Sequence, residues 1–526
     1  MPGLPDHQGR PGTAVRRAHT DNATRPLPTD TERQYPFRVP LVGLFGRPTR
    51  NPTDPKDPIT HAHPAPRRRN RRPRPPAPPP RHRPRRPPRR RRPSRRPLPA
   101  GGPDTVTHHT RATTGPLIPD QGTGPHHALR TLVTALAEGA ADPAHPHCAA
   151  HLHTPPLALA AAADLAASAL NPSMDSWDQA PAASTLEATL TTTLAAEVYP
   201  RAPRPDALVT TGGTEANQLA LLLARERHGP VQTICAANAH HSVTRATWIL
   251  GLPRPVVIPA PRGTMDPTAL HDALTTLTGP LLVTATAGTT DTGRIDPLDH
   301  IADLTTAHDA DLHIDAAYGG PLLFSPTHRH LLDGLHRAHS VTLDLHKLGW
   351  QPASAGILAV PHHHDLHPLH HQAPYLNADD DTDAGLPDLL GRSLRTTRRP
   401  DALKIAVTLQ ALGRDGLADL IDRTVAAAHH LADLIDRDPG LQLHDRPTIS
   451  TVLFRPTHAD DTTVATIRRT LLTQGQAVLG RAYIDGELWL KATLLNPHAT
   501  PDDLRHLLTL VTHAHHGATT EGSTPR

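Results

Sequence analysis

The sequence contains only two cysteines, Cys148 and Cys235, among its 526 residues. Two thiols are too few for a disulfide framework or a four-cysteine zinc site, and they favour a reducing, cytoplasmic setting. Aromatic residues make up only 2% of the chain. There is no run of 18 apolar residues, so no transmembrane helix is expected. The first 20 residues lack the apolar stretch that a secretory signal requires, and we expect no such signal.

Lysine is also scarce, with four lysines against fifty arginines. Arginine suffices wherever a fixed positive charge is needed, whereas only lysine can lose its proton and attack a carbonyl group. Lys347 follows His346 at the end of a predicted buried strand, in "SVTLDLHKLGWQP". This position favours a chemical role for Lys347, and a surface ion pair is the alternative.

Histidine, in contrast, is abundant, with 40 residues. These histidines are scattered through stretches such as "HPHCAAHLH" and "PHHHDLHPLHH". Their spacing matches no metal-binding motif on a recognisable helix, so no metal site is predicted.

The net charge of +4 is created by one segment. Residues 67–96 hold 16 arginines, 10 prolines and no acidic residue, and without these arginines the chain carries −12. Such a segment cannot bury apolar area and its like charges repel, so residues 1–110 are predicted to form a disordered extension. The extension is either a leader without a folded role or an arm that binds RNA or a membrane surface. The rest of the chain is acidic, which argues against a nucleic-acid-binding body.

After the extension the sequence alternates between helical and strand patterns. Residues 111–190 are predicted to be a helical segment, residues 191–410 a large α/β domain, residues 411–515 a small α+β domain and residues 516–526 a polar tail. Continuous apolar strands that alternate with helices predict a mostly parallel sheet covered on both faces. The stretches predicted as its strands are "DALVTTGG", "VQTICAA", "PVVIPA", "PLLVTATAG", "ADLHIDAAYGG", "SVTLDLH" and "AGILAV".

Chemically suggestive residues lie at the ends of these strands, where open α/β sheets bind ligands. Gly213 and Thr214 open a helix in "TGGTEAN", and a helix N-terminus with glycines suits a phosphate group. His240 and Lys347 follow two other strands, and Asp315 ends a third. Together they match pyridoxal 5′-phosphate, whose aldehyde reacts with a lysine and whose ring nitrogen needs a carboxylate. A capped helix, a core aspartate and a surface lysine are the alternative interpretation.

These motifs resemble those of the group II pyridoxal-phosphate-dependent amino acid decarboxylases. The resemblance extends in family order from about residue 130 to residue 510. Within the family, "SMDSWDQAP" and "TTRRPDALK" are most similar to the branch that acts on diamino acids, such as the 2,4-diaminobutyrate decarboxylases and their lysine-specific relatives. The matching stretches are "NPSMDSWDQAPAASTLE", "TTGGTEANQLALLLAR", "AHHSVTRA", "TAGTTDTGRIDPL", "LHIDAAYGG", "LDLHKLGWQP" and "RSLRTTRRPDALKIAVTLQALGRDG".

The resemblance implies a fold type I enzyme with a mostly parallel seven-stranded sheet, pyridoxal 5′-phosphate as cofactor and a homodimer with active sites at the subunit interface. It implies decarboxylation of an L-amino acid, with a basic diamino acid (2,4-diaminobutyrate or lysine) as the leading substrate. The enzymatic alternatives are an aromatic substrate, or an aminotransferase or aldehyde-forming reaction on the same cofactor. The non-enzymatic alternative is a protein whose arginine-rich arm binds nucleic acid.

The residues of this chain that match the family's motifs are expected to have the family's roles. The resemblance implies that Lys347 forms the Schiff base and that His346 contacts the cofactor and is a candidate proton donor. It implies that Asp315 pairs with the pyridine nitrogen and that Ala317 packs against the ring. It further implies that His240 stacks on a ring face.

The remaining assignments concern the phosphate and the substrate. By the same resemblance, Gly213 and Thr214 belong to the phosphate-binding turn, and Asp344 is a phosphate contact. Asp175 and Asp178 are candidates either for meeting a substrate ammonium group or for capping a helix.

The chain departs from the family pattern at two points. Aromatic decarboxylases carry a tyrosine on a mobile loop that protonates the product carbon, but residues 379–397 contain none, and the nearest is Tyr375. Some relatives without this tyrosine form aldehydes. At the second point, Pro400 replaces the bulky aromatic residue common before "DALK", and a proline there is expected to kink the start of the helix.

Overall fold

A computed structural model of the protein describes residues 96–371, 373 and 375–521. Residues 1–95 lie outside the described residues, and they include most of the predicted disordered extension and all of the arginine-rich segment except Arg96. Within the described ranges, no helix has the length and apolar character needed to cross a membrane.

The secondary structure alternates helices and strands, as the sequence pattern predicts. The helices are α1 (Gly102–Thr114), α2 (Pro125–Gly139), α3 (Ala158–Leu170), α4 (Pro181–Val198), α5 (Gly213–His228), α6 (Ser242–Ile249), α7 (Pro267–Thr276), α8 (Leu298–Ala307), α9 (Asp379–Asp383), α10 (Ala402–Asp436), α11 (Asp461–Thr473) and α12 (Pro501–Glu521). The strands are β1 (Cys148–Ala149), β2 (Asp206–Thr210), β3 (Gln232–Ala236), β4 (Val256–Ile258), β5 (Leu281–Thr286), β6 (Asp311–Ala316), β7 (Ser340–Asp344), β8 (Gly356–Val360), β9 (Leu441–Leu443), β10 (Thr451–Pro456), β11 (Val478–Ile484) and β12 (Glu487–Thr493).

Seven strands form the larger sheet, in the order β2-β8-β7-β6-β5-β3-β4. Strand β8 runs antiparallel to both of its neighbours, and the other four pairs are parallel. The predicted fold class, a mostly parallel seven-stranded α/β sheet, is confirmed. Strands β5 to β8 are buried along their whole length, which explains their continuous apolar runs. The carboxyl ends of β3, β5, β6 and β7 lie at one edge of this sheet.

The smaller sheet has five strands, in the order β1-β11-β12-β10-β9. Its first strand comes from the N-terminal segment and pairs in parallel with β11, so that Cys148 lies opposite Val478. The sequence pattern did not predict β1, because two residues are too few to show a period. The N-terminal segment is therefore tied to the C-terminal sheet.

The structure differs from the predicted N-terminal extension near its end. Predicted disorder reached residue 110, but α1 covers Gly102–Thr114, so that prediction is wrong for these last residues. Helix α1 begins with a proline in its first turn, and its His109 Nε2 lies 3.1 Å from Glu138 Oε2 on α2. The prediction of disorder for residues 1–110 rested on the composition of the arginine-rich segment, and this composition does not indicate the short helix that follows it.

Helix α10 is not kinked at its start but is interrupted further along, at Gly413. Gly413 has φ +62° and ψ −174°, a conformation that favours glycine, and it divides α10 into two helical stretches. The predicted division between residues 410 and 411 lies just before this break. The expectation that Pro400 kinks the helix is wrong, because α10 begins only at Ala402, beyond the proline.

Candidate active site

The turn between β2 and α5 forms a cradle at the edge of the larger sheet. Gly212 has φ +152°, which disfavours any residue with a side chain, and Gly213 starts the helix. No side chain caps the N-terminus of α5, so its first N–H groups are available to an anion. A Cβ atom on Gly213 would lie 2.9 Å from Ala317 Cβ and 3.2 Å from Asp344 Oδ2. Glycine at this position therefore keeps the cradle open.

The cradle is one wall of a cavity of about 310 Å³. All eight residues that the sequence singles out for the cofactor line this cavity. Residues of both kinds, predicted and unpredicted, line it as follows: Leu152, Thr211, Gly212, Gly213, Thr214, His240, Thr286, Gly288, Thr290, Asp315, Ala317, Tyr318, Asp344, His346 and Lys347. Strand ends that are far apart in sequence thus contribute to a single site.

Asp315 lies near the end of β6 with its carboxylate buried and oriented by two donors. The backbone N–H of Ala317 donates to Asp315 Oδ1 over 3.0 Å, and Asn217 Nδ2 donates to Oδ2 over 2.7 Å. A carboxylate can accept further hydrogen bonds at its remaining lone pairs. It is therefore able to bind a protonated ring nitrogen in the cavity.

His240 follows β3 and is half-buried beside the cavity. Its Nδ1 lies 2.8 Å from Ser242 Oγ, and its ring centroid lies 4.2 Å from that of His241. Burial lowers the pKa of His240, with a smaller opposing effect from Asp315. His240 is thus uncharged at neutral pH and presents a flat ring to the cavity.

Lys347 lies within the turn that follows β7, in contact with a buried carboxylate. Its Nζ is 2.9 Å from Asp344 Oδ2, and the Lys347 side chain is 18% exposed, against 2% for Asp344. His346 Nε2 lies 3.5 Å from the same Asp344 oxygen, and burial lowers the pKa of His346. The sequence thus places an amine, an imidazole and a carboxylate together at one strand end.

The two aspartates proposed for a substrate ammonium group lie apart from this cavity. Asp178 is exposed and its Oδ1 accepts a 2.6 Å hydrogen bond from Ser176 Oγ. Neither Asp175 nor Asp178 lines the cavity, so the structure does not bring them to the site within one subunit. The alternative of helix capping is also wrong for α4, which begins after Ala180 without a side-chain cap.

Three buried residues behind the cavity were not predicted from the sequence. Asn217 on α5 contacts Asp315, while Ser242 and His313 contact Asn217. Asn217 lies four residues after Gly213, and residues at this spacing share one face of a helix. The position of Asn217 in "TGGTEAN" was therefore a usable indication, whereas the pairing of His313 with Asn217 depends on the packing of α5 on β6.

The residues present fit pyridoxal 5′-phosphate. The uncapped N-terminus of α5 suits a phosphate, the Asp315 carboxylate suits a ring nitrogen, and Lys347 supplies an amine. The buried Asp344 Oδ1 has no hydrogen-bond partner within the part of the chain that the structure describes. In that same part, no cluster of histidine, cysteine and acidic residues could hold a metal ion.

Comparison with known proteins agrees with this geometry. The pyridoxal-dependent decarboxylase conserved domain matches residues 127–457. An L-2,4-diaminobutyrate decarboxylase of Rhizobium meliloti (strain 1021) is 42% identical over 409 residues, covering 74% of this chain and 82% of the relative. One from Acinetobacter baumannii is 34% identical over 429 residues, covering 74% of this chain and 84% of the relative.

Solved structures share the fold. The glutamate decarboxylase domain of diaminobutyrate-pyruvate transaminase and L-2,4-diaminobutyrate decarboxylase from Vibrio parahaemolyticus has a TM-score of 0.71 at 33% identity, covering 81% of this chain and 92% of that one. Oryza sativa TDC with PLP and tryptamine has a TM-score of 0.73 at 22% identity, covering 80% and 93%. At that lower identity the similarity concerns the fold alone.

Proposed function

The chain belongs to the pyridoxal-dependent decarboxylase family, and from that premise we propose that it removes CO2 from L-2,4-diaminobutyrate to leave the corresponding diamine. Pyridoxal 5′-phosphate is its cofactor, and amino acid decarboxylation is its reaction class. One observation carries the proposal: the cradle at Gly213, the Asp315 carboxylate and the Lys347 amine line the same cavity. The diaminobutyrate decarboxylases among its relatives favour that substrate over lysine or an aromatic amino acid.

Each of the residues around the cavity has a distinct proposed task. When bound, the cofactor supplies an aldehyde that takes up an amine and a ring that accepts electrons from the breaking bond to the carboxyl group. Lys347 Nζ would hold the cofactor covalently, and Asp315 would keep the ring nitrogen protonated through a charge-assisted hydrogen bond. His240 would stack on a ring face and Ala317 would pack against the ring. These contacts fix the ring so that the bond to the carboxyl group can be oriented for cleavage.

Phosphate binding and proton delivery involve the remaining residues. The N–H groups at Gly213 and the hydroxyl of Thr214 bind the phosphate at the positive end of α5. Asp344 keeps the amine of Lys347 at the edge of the cavity by its 2.9 Å contact. His346, whose Nε2 faces the same carboxylate, would deliver a proton to Cα from its imidazolium form and regain that proton from solvent. We assign this task to His346 because residues 379–397 contain no tyrosine.

The test measures CO2 and amine from purified, cofactor-loaded protein with a panel of L-amino acids. We expect stoichiometric CO2 and diamine from L-2,4-diaminobutyrate, less from lysine, and none from a Lys347→Ala variant. Lys56→Ala changes a lysine far from the site in sequence and is the matched control. Turnover restricted to aromatic amino acids would contradict the proposed substrate.

The covalent role of Lys347 has a separate test. Reduction of the native protein with borohydride followed by peptide mapping is expected to find the pyridoxyl group on the peptide that contains Lys347. A label on Lys404 or Lys491 instead would overturn the assignment. Oxygen consumption with aldehyde formation would favour the aldehyde-forming reaction that the missing loop tyrosine raises.

We also propose that the enzyme is a homodimer located in the cytoplasm. Leu117, Ile118 and Leu136 in the N-terminal segment are largely exposed apolar side chains, which a second subunit would cover. The two cysteines are unpaired and buried, which suits a reducing compartment. Light scattering of the purified protein tests the subunit number, and a monomer that turns over substrate would contradict it.

A further inference from the structure

A buried asparagine connects the two groups that face the cofactor ring. Asn217 is fully buried, and its Nδ2 donates to Asp315 Oδ2 over 2.7 Å and to Ser242 Oγ over 2.8 Å. Its Oδ1 accepts from Thr342 Oγ1 over 3.0 Å and contacts His313 Nε2 at 3.0 Å. An amide offers two donors and two acceptor positions, so every one of them is used.

The partners leave only one orientation for this amide. A carboxylate only accepts hydrogen bonds, so the amide nitrogen of Asn217 must face Asp315. The amide oxygen therefore faces His313, whose Nε2 must carry the hydrogen. His313 Nδ1 then accepts from Ser340 Oγ at 2.8 Å, and burial lowers the pKa of His313 to about 4. His313 is thus neutral at pH 7 and holds the asparagine in place.

The same chain of hydrogen bonds fixes the tautomer of His240. The backbone N–H of Ser242 donates to His240 Nδ1 over 3.4 Å, so Nδ1 carries a lone pair rather than a hydrogen. Ser242 Oγ accepts from Asn217 and must donate its hydroxyl hydrogen to Nδ1 over 2.8 Å. The ring hydrogen of His240 is therefore on Nε2. Protonating the ring would require Nδ1 to give up both of these donors.

We propose that Asn217 is a positioning residue that sets both ring contacts at once: it orients the Asp315 carboxylate and, through Ser242, holds His240 as the neutral Nε2–H tautomer. This inference rests on the proposed roles of Asp315 and His240 toward the cofactor ring. It makes the two contacts interdependent, because one side chain supports both. A positively charged His240 would repel a ring whose nitrogen is also protonated, so keeping it neutral favours activity.

Two variants separate the branches of this network. Ser242→Ala removes the hydroxyl that supports His240 and leaves the hydrogen bond from Asn217 to Asp315. Asn217→Ala removes the donor to Asp315 and the donor that orients the Ser242 hydroxyl, while the hydroxyl itself remains. Thr305→Val is the matched control, because it deletes another buried hydroxyl, bonded to a helix carbonyl on α8 outside the network. Each protein is loaded with pyridoxal 5′-phosphate, and we measure its cofactor affinity, the circular dichroism of the bound cofactor and the pH profile of kcat.

The direction of each effect follows from the hydrogen bonds. Losing one donor to Nδ1 weakens the neutral form, so the His240 pKa rises and the acidic limb of kcat moves up by about 0.5 to 1 pH unit in Ser242→Ala. In this variant cofactor affinity stays close to that of the wild type. Asn217→Ala shows a smaller shift in the same direction, because the Ser242 hydroxyl remains but is no longer oriented. It also binds the cofactor about tenfold more weakly, with altered circular dichroism, because Asp315 loses its donor.

If Asn217 only satisfied buried hydrogen-bonding groups, both variants would have a lower free energy of unfolding. The acidic limb of their kcat–pH profiles would then stay where it is in the wild type. A wild-type pH profile in Ser242→Ala would therefore overturn the inference, even if Asn217→Ala fails to fold. Wild-type protein that binds the cofactor but releases no CO2 would instead contradict the proposed function. In that case the cofactor affinity and circular dichroism of Asn217→Ala, compared with those of Thr305→Val, decide whether Asn217 orients Asp315 toward the cofactor.

Discussion

Adding one methyl group to the phosphate cradle is expected to weaken cofactor binding. In Gly213→Ala the new Cβ would lie 2.9 Å from Ala317 Cβ and 3.2 Å from Asp344 Oδ2. Real Cβ atoms do not approach a methyl group so closely, so Ala317 or the start of α5, both of which line the cavity, must shift. Overpacking of this kind costs about 1 to 3 kcal/mol. If the cofactor-bound state bears this cost, affinity for pyridoxal 5′-phosphate falls about 5- to 150-fold.

The assay titrates cofactor-free protein with pyridoxal 5′-phosphate and follows the absorbance of the bound form. Gly139→Ala is the control, because a Cβ there meets Thr110 Oγ1 and Val106 Cγ1 at an ordinary 3.6 Å. We expect this control to bind the cofactor like the wild type. Wild-type affinity in Gly213→Ala, with an unchanged melting temperature of the cofactor-free protein, would refute the steric reasoning.

Three further predictions follow from buried groups. Asp315→Asn should retain the cofactor but lower kcat about 10²- to 10³-fold, since a neutral amide cannot keep the ring nitrogen protonated; an unchanged kcat would contradict this. Burial lowers the pKa of His313 to about 4, so the unfolded state binds the extra proton first and stability falls as pH drops from about 6.5 towards 4. This loss, at most about 3 kcal/mol, should shrink in His313→Gln when urea unfolding is compared at pH 7 and pH 5. Arg398→Met should lower the free energy of unfolding in urea by about 3 to 5 kcal/mol, because it leaves the Glu187 carboxylate, 2.6 Å away, buried and unpaired. Adding Glu187→Leu should recover most of that loss.

The large sheet was predictable because its strands are buried on both faces. Stretches such as "PLLVTATAG" and "SVTLDLH" are continuous apolar runs with turn residues at their ends, and each of the seven predicted strands is present. The strand-end position of Asp315 and Lys347 was equally visible, because parallel strands bring their carboxyl ends to one edge. The roles assigned to these residues remain predictions for the experiments above.

Features that depend on distant contacts were not visible in the sequence. Strand β1 has two residues and exists only because β11 lies beside it. The hydrogen bond between Asn217 and His313 joins α5 to β6, and no local period announces it. Helix α1 was hidden by the composition of the residues that precede it. In each case the packing partner, rather than the local sequence, determines the structure.

The pairing of β1 with β11 also bears on the order in which the protein is completed on the ribosome. The segment that follows β1 carries Leu152 into the cavity wall, and Thr154 Oγ1 donates to the carbonyl oxygen of His346 over 3.2 Å. Its anchor at Val478 is synthesised long after the larger sheet has left the ribosome exit tunnel. A nascent chain that stops before β11 therefore holds most of the site's residues. It lacks the β1–β11 pairing that anchors the segment with Leu152 at the cavity wall.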